Sequence, residues 1–170
     1  MTKLSSVRNG NEQTLVIGKR EGAYKDMPLA RPFKVKVLSS LIPQSVTVNG
    51  HPAKYQYSGE DFALLIDVPA QACDQEKVVK IVYPSEKVDL NGLLGASRRI
   101  AKSMEQLKYR NSYIVFKEEF GKMGSLSEAV TYAPSEMPAL IADFWKSYNE
   151  LPAVLERQGM KSDLATWFLQ

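Results

Sequence analysis

Several kinds of chemistry are excluded by what this sequence lacks. Cys73 is its only cysteine, so no internal disulfide can form and no multi-cysteine metal site exists. His51 is its only histidine, and any Ser-His-Asp or Cys-His site would have to use it. It lies between Asn49-Gly50 and Pro52, and no neighbour is arranged to orient its ring, as a triad requires. His51 therefore reads as a solvent-exposed turn residue. Cys73, in Gln71-Ala72-Cys73-Asp74, has no flanking base and reads as a loop or partly buried thiol. No apolar run approaches the roughly 18 to 20 residues of a membrane span, so no membrane span is expected. The opening MTKLSSVRNG has no apolar core of the signal-peptide kind. Compartment stays open, periplasmic or secreted or cytoplasmic, according to the N-terminus of any parent protein. A dense basic patch is missing too: 22 Lys and Arg stand against 19 Asp and Glu, for a net charge of +3 spread along the chain. No nucleic-acid partner is expected from such a distribution.

What is present is ordinary globular composition, 44% hydrophobic and 24% charged over 170 residues, enough for one or two small domains. The first half reads as β. Thr2 to Val7 and Gln13 to Gly18 flank Asn9-Gly10, a hairpin signal. Phe33, Val35 and Val37 alternate with Lys34 and Lys36, which puts the apolar set on one face. Val46 and Val48 enter Asn49-Gly50, and Tyr55 and Tyr57 follow, predicting a hairpin over SVTVNGHPAKYQY. Phe62, Leu64, Ile66 and Val68 form the longest alternating run, and Val79, Ile81 and Tyr83 close the series before Pro84. About seven strands at this spacing predict an antiparallel β-sandwich.

After Lys87 the period changes. Leu93, Ile100, Met104, Leu107 and Ile114 follow helical spacing. Ser125 with Glu128 resembles a capping box. Met137, Leu140, Ile141, Phe144, Tyr148 and Leu151 trace one face of a further helix, with Ser135 as its expected N-cap. Pro152 suits the first turn of the next helix and Gly159 its end, with Leu164, Trp167 and Phe168 marking a last segment after Ser162. The expected fold is thus α+β: a sandwich over 1–86, then a helical region over 87–170.

Few residues offer chemistry. Gly18-Lys19-Arg20-Glu21-Gly22 lacks the spacing of a phosphate loop and is followed by a strand, so no helix N-terminus is available for phosphate. Its glycines read as turning points between strands. Glu60-Asp61 and Glu118-Glu119 are adjacent pairs, most simply solvated, and not the facing carboxylates a glycosidase needs. No cluster has metal-ligand spacing, and no cofactor is implied. Arg98, Arg99, Lys102, Lys108 and Arg110 make the first helix basic, read as a solvated face partly paired with Glu105. Tyr55 and Tyr57 share a strand face; they either cover the core or, with Tyr24, stack on a sugar ring. Trp145 and Trp167 read as helix-packing surface, internal or at a subunit interface.

The stretch VIGKREGAYKDMPLARPFKVKV carries a resemblance. Ile17-Gly18-x-Arg20-x-Gly22-x-Tyr24-x-x-Met27, then Arg31-x-Phe33, resembles a signature in the C-terminal β-sandwich of glycoside hydrolase family 31, the α-glucosidases and α-xylosidases. Ser45-Val-Thr-Val-Asn-Gly50 is similar to a later strand of that domain. The likeness covers about residues 2 to 84. In that family the reaction belongs to a (β/α)8 barrel of roughly 250 residues, which this chain cannot supply. The resemblance therefore implies a non-catalytic accessory region whose partner is the barrel. Gly18, Arg20, Gly22, Tyr24, Met27, Arg31 and Phe33 become framework residues, and no catalytic residue is carried over. The two other readings are an autonomous carbohydrate-binding module and a helix-mediated homo-oligomerisation module using Phe144, Trp145 or Trp167.

Overall fold

The computed structural model describes residues 1–84, 88–108, 121–161, 163 and 165. Among these described residues eight strands precede the helices: β1 Thr2–Asn9, β2 Glu12–Arg20, β3 Ala30–Val37, β4 Ser45–Val48, β5 His51–Pro52, β6 Tyr55–Ser58, β7 Ala63–Ala72 and β8 Lys77–Val82. They form two antiparallel sheets, ordered β1-β2-β8-β4-β5 and β3-β7-β6. The helical part holds α1 Leu93–Lys108, α2 Leu126–Tyr132, a 3-10 turn Pro134–Glu136 and α3 Met137–Arg157. The α+β class read from the sequence is what the structure has.

The chain divides into two compact units, Met1–Ser58 with Ala63–Ser85, and Gly59–Phe62 with Glu86–Gln170. The sheet unit is built on period-2 burial. In β7, Leu64, Ile66 and Val68 are buried, and β8 contributes Val79 and Ile81. Ile17, Val46 and Val48 complete the core from the larger sheet. The Asn49-Gly50 turn has φ of 50° and 81°, both left-handed, as the hairpin signal demands.

That hairpin is shorter than its sequence suggests. Val48 pairs with His51 and Thr47 with Pro52, but Tyr55 and Tyr57 pair with Ile66 and Leu64 in the other sheet. Pro52 has no N–H to continue a ladder. The Lys54 carbonyl already accepts from Asp67 N at 3.0 Å, so the chain changes sheets at Ala53-Lys54. Phe62 also departs from expectation: β7 begins at Ala63, and Phe62 precedes it in a left-handed conformation with φ of 47°.

The helical unit differs from its sequence reading at several ends. Ser125 makes no capping bond; its hydroxyl turns back to the Gly121 carbonyl at 3.0 Å, because 121–124 is already helical. Ser135 lies in the 3-10 turn, and Glu136 occupies the N-cap position of α3. Pro152 does not open a new helix but sits inside α3. There the apolar stripe Ile141, Phe144, Tyr148, Leu151 and Leu155 is buried continuously across it, and that burial outweighs the lost hydrogen bond. Gly159, with φ of 92°, ends the helix as expected. Leu140 and Met104 are half-buried. The Leu107 and Lys108 side chains, Arg110, Ile114, Glu118-Glu119, Leu164, Trp167 and Phe168 lie outside what the structure describes.

Candidate functional site

Within the opening signature, Arg20 forms a clasp on the 21–29 loop. Strand β2 delivers Arg20 to the base of this loop, where its amide donates to the Cys73 carbonyl at 2.8 Å. Cys73 N donates in turn to the Leu29 carbonyl at 2.8 Å, and Arg20 Nη1 donates to the Pro28 carbonyl at 2.6 Å. One arginine thus holds both ends of the loop, by main chain and by side chain. Gly22 has φ of 88°, which an L side chain resists, so the loop leaves β2 through a position suited to glycine. Gly18 faces β1 where the register shifts between Thr2 and Leu4; a Cβ there would approach the Lys3 carbonyl to 3.2 Å. Arg31 lies over the Phe33 ring, its guanidinium carbon 5.8 Å from the centroid. Met27 is half-buried.

Tyr24 is the exception in this group. It is 67% exposed at the loop, near Leu29 in sequence, itself 82% exposed. The clasp therefore presents an aromatic and an aliphatic side chain to solvent on a tied loop.

Tyr55 and Tyr57 are engaged elsewhere. Tyr57 is half-buried and donates its hydroxyl to the Ser40 carbonyl at 2.8 Å. Tyr55 donates to the Pro43 carbonyl at 3.3 Å and keeps 38% of its surface exposed. The structure does not bring Tyr24, Tyr55 and Tyr57 into one platform: two tie β6 to the 40–43 segment, and the third sits on the clasped loop.

Sequence reasoning missed the polar network that Tyr57 joins. Tyr83, 1% exposed, donates to Gln13 Oε1 at 2.9 Å and accepts from the Ser40 hydroxyl at 3.1 Å. Gln13 Nε2 continues to Ser6 Oγ at 3.0 Å, and the Arg8 guanidinium carbon sits 4.8 Å from the Tyr83 ring centroid. Burial raises the Tyr57 and Tyr83 phenol pKa values above the usual tyrosine range, since the phenolate would lose solvation. For Tyr83 the Ser40 hydrogen bond and the Arg8 charge oppose that rise. The signal was present as an alternating Tyr83 at the end of β8, but nothing local marks its partners, which lie 43 and 70 positions away.

His51 is exposed beside its turn, and it also lines a groove of about 720 Å³ in the sheet unit. Phe33, Pro52, Pro69, Lys34 and Asp67 line the same groove, while none of the three tyrosines does. Lys34 and Asp67 form an exposed cross-strand pair at 3.8 Å, worth little on its own. Cys73 is buried. Lys77, also buried, spends its ammonium on the Ala72 and Gln75 carbonyls at 2.6 Å each.

In the helical unit the basic face of α1 is not simply solvated. Arg98 Nη2 donates to Asp61 Oδ1 at 2.9 Å, and Arg99 Nη2 donates to the Tyr148 hydroxyl at 3.0 Å. Trp145 donates its indole N–H to the Asp89 carbonyl at 2.7 Å and packs edge-on against Phe144 and Tyr148, with ring centroids 5.3 and 5.5 Å away. These contacts are internal to the unit. Among the described residues no group of three or more His, Cys, Asp or Glu could hold a metal ion. Among them, too, no helix is long and apolar enough to cross a membrane. No family model, no curated protein and no solved structure matches this chain.

Proposed function

We propose that this chain is a non-catalytic accessory region of an α-glycosidase resembling family 31, an α-glucosidase or α-xylosidase, with the sheet unit as its C-terminal β-sandwich. The observation that carries the reading is the clasp. Arg20 and Gly22 shape the loop and Gly18 admits the close approach of β1, all three in backbone-holding roles, as framework residues should. The tied loop offers Tyr24 and Leu29, two exposed side chains suited to rest against a neighbouring domain. In this reading the partner is the catalytic (β/α)8 barrel, and the chemistry of carbohydrate breakdown belongs there.

A sugar-binding role would rest on Tyr24, the most exposed of the three rings at 67%, against 38% for Tyr55 and a half-buried Tyr57. The accessory role is preferred, since a lone ring without converging polar groups makes a poor sugar subsite. Turnover assays on p-nitrophenyl α-glucoside and α-xyloside test the proposal. The purified chain is expected to release no nitrophenol above the buffer rate. Turnover abolished by a carboxylate change within this chain, such as Asp67→Asn, would refute it.

A further inference from the structure

We propose that Gly59–Phe62 is a key that completes the helical unit, so that α1 and α2 depend for their packing on a segment lying between β6 and β7 in sequence. The residues cluster with Glu86–Gln170 and not with the strands that flank them. Three of them make a contact or adopt a conformation that a plain turn would not need.

Gly59 is buried, and a Cβ on it would lie 2.3 Å from Thr131 Oγ1 and 2.7 Å from the Ser127 carbonyl, both in α2. Its φ is not positive, so glycine serves here for close approach and not for backbone freedom. Asp61 accepts from Arg98 of α1 at 2.9 Å. Phe62 is 1% exposed and holds φ of 47°, a region that bulky residues occupy only when their surroundings impose it. A turn chosen for conformation alone would place Gly or Asn at that position. Phenylalanine there means that burial of the ring dominates the choice. Close approach to α2, an ion pair to α1 and a buried ring at a strained position together describe an inserted key. The division of the molecule is therefore not a single cut near residue 86, and this holds whatever the function.

Segment-resolved hydrogen exchange on the full chain tests the proposal. Gly59→Ala is expected to lower protection of α1 and α2 amides by about tenfold or more, while β2 and β8 amides change by less than about twofold. Adding Thr131→Ala removes the nearer obstacle and should restore part of the lost protection. Asp61→Asn, which keeps the shape, should give a smaller loss confined to the helical unit. Unchanged α1 and α2 protection in Gly59→Ala would overturn the proposal, as would an equal loss in both units that Thr131→Ala leaves unrelieved. If Gly59→Ala does not fold, Asp61→Asn decides: full helical protection in that variant contradicts the key.

Discussion

The two units obey different kinds of local signal. In the sheet unit, Asn49-Gly50 forms the left-handed turn that its residues require. In the helical unit, Ser125 and Ser135 cap nothing, and Pro152 lies within α3 instead of opening a helix. A surface turn between two strands has little besides backbone conformation to decide it, so residue type dominates. A helix end is decided by how far the chain can go on burying one face. In α3 that face runs from Met137 to Leu155, and it carries the helix past the proline. Local chemistry governs where nothing packs; packing governs where something does.

The largest expected effects test whether each unit rests on its own core. Leu64→Ala and Ile141→Ala remove fully buried side chains, one from each unit, and each should cost about 2–5 kcal/mol. Urea titrations followed by segment-resolved exchange should show each loss first in the unit that holds the mutation. Simultaneous loss in both units would dissolve the comparison.

Next comes Pro152→Ala. If burial alone carries α3 past Pro152, restoring the missing amide should stabilise the helical unit by about 1–2 kcal/mol, after allowing for the entropy that proline removes from the unfolded chain. A destabilised variant would mean that the ring itself is needed, and Pro152 would be a chosen residue and not a tolerated one.

The polar network gives a smaller effect with a pH signature. Tyr57→Phe should cost about 0.5–1.5 kcal/mol by freeing the buried Ser40 carbonyl. In the native protein the Tyr57 and Tyr83 pKa values lie above their unfolded value, so the fold favours the neutral phenols. Their contribution is complete below about pH 10 and falls away as pH rises from there through the folded values. Urea midpoints between about pH 8 and 11 should decline above about 10, and less steeply in Tyr57→Phe. A wild-type midpoint flat across that range would contradict the buried network.

The smallest pair addresses the turns and caps directly. Gly50→Ala forces a side chain into the left-handed region and should cost about 1 kcal/mol. Ser135→Ala should change stability by less than about 0.5 kcal/mol, below the roughly 1 kcal/mol of a working N-cap. The reverse order would overturn the contrast between the units.

Most strands could be read from alternation, because burial with period 2 is written into residues such as Leu64, Ile66 and Val68. The sheet change at Ala53-Lys54 could not, since it depends on which strand meets Tyr55 across the fold. Gly59 and Asp61 look like ordinary turn residues, and only Thr131 and Arg98, far along the chain, give them meaning. The opening signature was legible as a pattern of glycines and arginine. Its structural role became clear only when Arg20 met Pro28 and Cys73.

The proposed accessory role is tested most directly by sequencing the reading frame that encodes this chain in its genome. An in-frame region upstream of Met1 encoding a (β/α)8 barrel of roughly 250 residues is expected. A stop codon just upstream, with translation shown to begin at Met1, would contradict it.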